Sequence, residues 1–118
     1  MVIDSRHFEL GNGEFATVLE VHGSIDASTE PELRRHLDDL IRAGARHIIF
    51  DGKHVPYINS TGLGTLLMYM DKLQELGGNL VLAQLSDKAL MVIEMLGFAA
   101  ALDIVEDQQS AVEVLGAE

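Results

Sequence analysis

The residues of this 118-residue chain best placed to do chemistry are two adjacent hydroxyls, Ser60 and Thr61. Before them, residues 47–50 form a short β-branched and aromatic run, the pattern of a strand buried on both faces. From Leu63 onward, apolar residues recur at the three- and four-residue spacing of one helix face, so a helix should begin near Asn59 or Ser60. The sequence therefore predicts both hydroxyls at a helix N-terminus.

A helix N-terminus is a favourable position for an added phosphate. Asn59 and Ser60 can both cap the helix, because a short side-chain oxygen can accept a bond from an unpaired backbone N–H. Only one cap is needed, so the hydroxyls of Ser60 and Thr61 are spare where N–H groups and peptide dipoles stabilise an anion. A phosphate on Ser60 would add charge to the surface and leave the fold intact, which is what a surface switch requires.

Enzymatic and metal-binding functions have little support in the motif spacing. The histidines show no i, i+4 pair and no compact metal spacing, so we expect neither a metal site nor a cofactor. Ser60 lacks the Gly-x-Ser-x-Gly pattern of a hydrolase nucleophile, although a small hydrolase or nucleotide-binding enzyme that pairs Ser60 with a histidine is an alternative to be tested. The histidines are His7, His22, His36, His47 and His54.

The composition favours a protein partner. Nineteen acidic residues against eight basic ones give a formal net charge of -11, which disfavours direct binding of nucleic acid and favours a partner with a basic patch. The chain has no Cys and no apolar run near the ~20 residues that span a bilayer, and its first residues lack a basic head followed by a long apolar run, so we expect no secretory signal. We therefore expect one domain over residues 1–118, a cytoplasmic address and no membrane contact.

The order of predicted elements indicates an α/β fold. An extended segment at residues 2–10, the turn at residues 11–13 and a strand at residues 15–21 should form a hairpin. A helix capped by a Thr29-x-x-Glu32 box follows, with Ala43-Gly44 at its end. The later elements are a strand at 47–51, a helix at 59–76, a strand at 79–83, a helix capped by Ser86 or Asp87, a strand at 102–105 and a helix at 110–115.

Strands that alternate with helices predict a mainly parallel sheet of four or five strands. The opening hairpin should add an antiparallel edge to that sheet. The inner faces of the helices are predicted from their apolar spacing. They comprise Leu33, Leu37, Leu40 and Ile41 in the first helix, Leu63, Leu66, Leu67, Met70 and Leu73 in the second, and Leu90 and Ile93, with Met91 or Leu96 as alternatives, in the third.

Residues 58–64, Ile-Asn-Ser-Thr-Gly-Leu-Gly, resemble the (D/N)-S-(S/T)-G-L signature of the STAS domain, the module of sulfate transporters and bacterial anti-sigma-factor antagonists. Gly23-Ser-Ile-Asp26 is similar to the family's G-x-(L/I)-D turn. Gly77-Gly78 and Met95-Leu-Gly-Phe98 also fall at family-like spacings. The resemblance covers roughly residues 15 to 115. It implies the same sheet, with helices largely on one side.

The resemblance implies an anti-sigma factor antagonist that performs no chemistry itself. Unmodified, it would bind a kinase-type anti-sigma factor and release the sigma factor. Phosphorylation of Ser60 by that serine kinase would end binding, and a phosphatase would restore it. This chain departs from the phosphorylated antagonists at Asn59, where they usually carry aspartate.

The partner-binding surface is predicted around the same turn. Asp26 lies in the loop that the resemblance places beside the phosphorylation site, although the residue could simply fix a turn. Gly62 either permits close packing of the helix start or lets a partner approach Ser60. Met68 and Tyr69 lie off the apolar stripe and are expected to be partly exposed. With Asn59 and Thr61, these residues are the candidate contacts.

A second hypothesis keeps the fold and drops the switch. The chain would then be a non-phosphorylated STAS adaptor subunit of a transporter or signalling assembly. Asn59 favours this hypothesis. An unpaired sheet edge, or the helix that carries Met68, could also support a homodimer.

Overall fold

The core of the fold is a five-stranded sheet in the order β1-β2-β3-β4-β5. The computed structural model describes residues 1–11 and 13–116. β1 and β2 pair antiparallel, and the other neighbouring strands pair parallel. The predicted hairpin and the mainly parallel sheet are thus confirmed. The strands are β1 (Val2–Glu9), β2 (Phe15–His22), β3 (His47–His54), β4 (Asn79–Ala83) and β5 (Ile104–Val105).

Helices cover both faces of the sheet, with three of those described on one face. That larger face packs Leu19 and Ile48 of the sheet against the first three helices. The other face packs Val18 and Ile49 against the last helix. The prediction of helices largely on one side is therefore confirmed. The helices are α1 (Glu30–Arg42), α2 (Ser60–Glu75), α3 (Asp87–Met95) and α4 (Gln108–Gly116).

Among residues 1–11 and 13–116, no helix combines the length and the apolar character needed to cross a bilayer. The turn predicted at residues 11–13 includes Asn12, which lies outside the described residues.

The cap of α1 differs from the predicted box. Thr29 precedes α1 but makes no side-chain cap hydrogen bond. Its hydroxyl instead donates to the carbonyl of Ser24 at 2.8 Å and accepts from the backbone N–H of Asp26 at 3.0 Å. The Thr29-x-x-Glu32 box is therefore wrong, because loop contacts occupy the threonine oxygen.

The last elements and the face of α3 also differ from expectation. The strand predicted at 102–105 is reduced to Ile104–Val105, and the final helix begins at Gln108 rather than at residue 110. Ser86 caps α3 through a bond from the Ala89 N–H, one of the two predicted caps. Ile93 is buried as predicted, but Leu90, Met91 and Leu96 are exposed, and Ala89 is buried instead. The buried face of α3 is thus only partly the predicted one.

A buried carboxylate joins α1 to α2. Glu30 is buried, and its Oε2 accepts hydrogen bonds from the Thr65 hydroxyl at 2.5 Å and from Arg34 Nη2 at 2.7 Å. Burial by itself would raise the pKa of Glu30, but the bonds from Thr65 and Arg34 and the guanidinium charge outweigh it, so the pKa is lowered from 4.5. The contact fixes the first turn of α1 against the second turn of α2.

We expect the unfolding free energy to fall as the pH drops below about 4.5, the ordinary pKa of Glu30. A carboxyl group whose pKa is lower in the folded protein than in the unfolded chain stabilises the fold fully at pH values above its unfolded-state pKa. This stabilisation is lost as the pH falls through the folded-state pKa. Glu30→Gln should cost about 1–3 kcal/mol near neutral pH and reduce the acid dependence. Urea denaturation at a series of pH values measures both quantities.

Glu32→Gln, in the same first turn of α1, is the matched control and should retain the acid dependence. Equal acid dependence in Glu30→Gln and in the unsubstituted protein would contradict the assigned role of Glu30.

Candidate functional site

Ser60 is the first residue of α2 and is exposed. Asn59 is the N-cap, because its Oδ1 accepts a hydrogen bond from the Gly62 N–H at 3.0 Å. Within the part of the chain that the structure describes, the side-chain hydroxyls of Ser60 and Thr61 form no hydrogen bond. The helix start therefore presents a hydroxyl that the fold does not use, as the sequence predicted.

Backbone pairing of two loops sets the position of Ser60. The loop after β2 and the loop after β3 form an isolated parallel bridge between Ile25 and Ile58. The Ile25 N–H donates to the Tyr57 carbonyl at 2.8 Å, and the Asn59 N–H donates to the Ile25 carbonyl at 3.0 Å. Because the pairing is parallel, it brings Asp26 and Asn59 to the same end of the bridge.

Asp26 is held by its own loop. Its Oδ1 accepts hydrogen bonds from the Ser28 hydroxyl at 2.6 Å and from the backbone N–H groups of Ser28 at 2.9 Å and Thr29 at 3.2 Å. The bonds from Ser28 are the main reason that the pKa of Asp26 is lowered from 3.8. Asp26 thus fixes the turn, one of its two predicted roles, and keeps a negative charge beside the start of α2.

Two glycines near Ser60 differ in their surroundings. Gly62 is buried, and a Cβ there would lie 2.6 Å from Ile25 Cγ2 and 2.9 Å from Ile58 Cγ1. The structure therefore shows that Gly62 permits close packing of the helix start, which was one of its two predicted roles. Contact between Gly62 and a partner stays a prediction. At Gly64, by contrast, a Cβ would meet nothing within 4 Å.

A stripe with exposed ends and a half-buried glycine runs along α2 from Ser60. Ser60, Gly64 and Met68 are four residues apart and so lie on one side of the helix. Met68 is 49% exposed, as predicted. Gly64 is not among the predicted contacts, although its four-residue spacing from Ser60 and Met68 places it in this stripe.

Tyr69 was expected to be partly exposed, and this prediction is wrong. Its side chain is buried, and its hydroxyl donates to Asp38 of α1 at 2.5 Å. Burial, reinforced by the Asp38 carboxylate, raises the pKa of Tyr69 well above its ordinary value. Tyr69 therefore links α2 to α1 and is not part of the stripe.

His47 and His54, the two histidines that precede Ser60 most closely in the sequence, have other partners. His47 lies at the start of β3, where its side chain pairs with Glu14. At a rise of about 3.3 Å per residue, His47 is about 23 Å from the other end of this strand. His54 lies at that far end and stacks on His22. Among residues 1–11 and 13–116, neither imidazole forms a hydrogen bond with the Ser60 hydroxyl, so the structure gives the hydrolase alternative no support.

The comparison with protein families is consistent with this architecture. The model of the STAS domain matches residues 10–111. The chain belongs to the STAS domain family. An anti-sigma-B factor antagonist of Bacillus subtilis (strain 168) is 30% identical to this STAS chain over 95 residues, which are 80% of this chain and 86% of the relative.

Solved structures of other proteins share the fold. The anti-sigma factor antagonist SpoIIAA in its unphosphorylated form aligns with a TM-score of 0.75 at 17% identity, covering 98% of this chain and 97% of SpoIIAA. The Bacillus cell fate determinant SpoIIAA in the phosphorylated form aligns with a TM-score of 0.63 at 16% identity, covering 94% and 99% of the two chains.

The two glycines provide a matched pair of substitutions. Gly62→Ala should lower the unfolding free energy by about 1–3 kcal/mol, because the added methyl group overlaps Ile25 and Ile58. Gly64→Ala should leave stability unchanged or raise it by up to about 1 kcal/mol, because alanine is the better helix former and has free space. Urea denaturation measures both. Equal effects of the two substitutions would contradict the packing described for Gly62.

Proposed function

We propose that this STAS chain is an anti-sigma factor antagonist that is phosphorylated on Ser60 by a kinase-type anti-sigma factor. The observation that carries the proposal is the exposed Ser60 hydroxyl, which no hydrogen bond of the described residues engages, at the start of a helix that Asn59 already caps. The similarity to an antagonist at 30% identity supports the same assignment.

The local structure suits a reversible phosphate. The N-cap contact uses the Asn59 side chain, so modification of Ser60 need not break it. The first turn of α2 contains no acidic side chain, and the helix N-terminus stabilises a negative group. A phosphate of charge about −2 can therefore be added without loss of a structural contact.

The stripe of Ser60, Gly64 and Met68 is the surface that we assign to the kinase. Gly64 has no side chain and Met68 is adaptable, so a partner can approach the helix closely between them. A phosphate on Ser60 would introduce charge and bulk into the contact, where disruption of a central residue costs about 2 kcal/mol or more. The acidic chain favours a kinase surface rich in basic residues.

In this scheme the protein is a substrate and binding partner and performs no catalysis. The unmodified chain binds the anti-sigma factor, and a phosphatase that removes the phosphate from Ser60 restores binding. Asp26, Asn59, Thr61 and Gly62 surround the acceptor and remain candidate contacts.

Asn59 is the feature that separates this proposal from its rival. An asparagine keeps the cap but lacks the negative charge of the aspartate in the resembled signature. A STAS adaptor subunit needs the surface but not the phosphate. The two functions differ in whether ATP alters the complex, which the following experiments measure.

Incubation of the full chain with its cognate kinase and ATP should add one phosphoryl group, located at Ser60 by mass spectrometry. Ser60 is the accessible hydroxyl at the resembled position. Ser60→Ala should accept no phosphate, whereas Thr61→Ala, the matched control one residue away, should still be modified. Modification of Thr61 alone, or of neither residue, would contradict the proposal.

Ser60→Asp should weaken binding to the kinase at least tenfold, equivalent to about 1.4 kcal/mol, because it places a charge in the contact stripe. Met68→Ala should weaken binding in the same direction through lost apolar contact. Isothermal titration calorimetry measures both affinities.

Ser5→Asp adds the same charge to exposed β1 and is the matched control. Ser5→Asp should bind the kinase as tightly as the unsubstituted chain. If Ser60→Asp bound equally tightly, the switch would be contradicted. A stable complex that ATP leaves unchanged would instead favour the adaptor.

A further inference from the structure

Two histidines and a glutamate meet where β2 and β3 end. The rings of His22 and His54 stack, with centroids 4.4 Å apart and an interplanar angle of 12°. His22 Nε2 lies 3.3 Å from Glu20 Oε1, and His54 Nε2 lies 3.9 Å from the same oxygen. One ligand atom from each of the three residues lies within 4.8 Å of the other two.

An irregularity in the sheet creates this cluster. Glu20 and His22 lie on the same face of β2, because side chains alternate along a strand. In the pairing of β2 with β3, Glu20 is opposite Asp51 but His22 is opposite His54, so β3 contains one residue more than β2 over this interval. Such a bulge re-aims the side chains beyond it, and here it places His54 beside His22.

The bulge is held by buried contacts. Asp51 is buried, and its Oδ1 accepts the Lys53 N–H at 2.9 Å. Its Oδ2 accepts from the side chains of Gln84 at 3.0 Å and Gln108 at 2.5 Å. The backbone that leads into His54 is therefore fixed at Asp51, where the bulge begins.

We propose that Glu20, His22 and His54 bind one divalent transition-metal ion, with Zn²⁺ as the best fit. Tetrahedral Zn²⁺ with bonds of about 2.0–2.2 Å places its ligand atoms about 3.4 Å apart. The 3.3 Å separation matches this value, whereas the 3.9 Å separation and the pair of histidine nitrogens, which lie within 4.8 Å of each other, require the rings to turn toward a shared ion. Two imidazoles and a carboxylate form a donor set that suits Zn²⁺ better than Mg²⁺ or Ca²⁺.

Asp4 supplies the fourth ligand in this proposal. Asp4 is opposite Glu20 in the β1–β2 pairing, and its Oδ2 lies 3.9 Å from His22 Nε2. The side chains of His22 and His54 are 38% and 44% exposed, so an ion can reach them from solvent. The site therefore joins three neighbouring strands at one end of the sheet.

The position of the site gives it a route to the start of α2. The Gly23 N–H donates to the His54 carbonyl at 3.1 Å, and the paired loops that carry Asp26 and Asn59 continue directly from this point. A bound ion would hold the bases of both loops without touching Ser60. The metal site does not depend on phosphorylation of Ser60.

The test is calorimetric titration of zinc chloride into the full chain, freed of metal and of any affinity tag. We expect one ion bound per chain, with affinity at least tenfold lower in His22→Gln and in His54→Gln. His36→Gln is the matched control, because His36 lies on α1 at the opposite face of the sheet, and it should bind as tightly as the unsubstituted chain. Asp4→Asn should produce a smaller loss than either histidine substitution.

Magnesium chloride should give no comparable binding in the same titration. Absence of Zn²⁺ binding, equal binding by His54→Gln and the unsubstituted chain, or equal affinity for Mg²⁺ and Zn²⁺ would overturn the assignment. Circular dichroism of each variant establishes that it is folded, and the exposed positions of both histidines make loss of the fold unexpected.

Discussion

The short backbone pairing between Ile25 and residues 57–59 is the constraint on which the candidate site depends. Two hydrogen bonds join loops that follow neighbouring parallel strands, and they bring Asp26 to the same place as the start of α2. Gly62 completes this arrangement, since only a residue without a Cβ lets the first turn of α2 lie against Ile25 and Ile58. Without this pairing, Asp26 and Ser60 would belong to two independent loops.

The residues that hold α2 in place are different from the residue that carries the exposed hydroxyl. Asn59 caps the helix, Thr65 bonds to the buried Glu30, and Tyr69 reaches Asp38, so α2 is tied to its surroundings at successive turns. None of these contacts uses Ser60. A residue can carry a reversible charge at low structural cost when its neighbours have already satisfied the backbone and filled the core.

Sequence patterns predicted the features that depend on residues close together in the chain. Apolar period identified the faces of α1 and α2, and a short polar side chain before Ser60 identified the helix start. Patterns failed where distant residues decide the outcome. Tyr69 looks exposed on its helix, but a partner on α1 buries it, and the Thr29 hydroxyl is taken by its own loop.

The histidine cluster shows the same limit more clearly. His22 and His54 have no metal-like spacing in the sequence, because their proximity comes from a parallel pairing and a bulge in β3. Neither feature leaves a local signal. The family resemblance could not reveal the cluster either, since the matching motifs concern the loops that follow these strands.

The central claim is that a phosphate on Ser60 changes the surface charge and leaves the fold beneath it unchanged. The most direct measurement is a comparison of backbone amide NMR shifts before and after phosphorylation by the cognate kinase. The account predicts one new phosphoserine, with shift changes confined to the first turns of α2 and the neighbouring loop at residues 24–28. Unmodified Ser60, or changes that spread through the strands of the sheet, would contradict it.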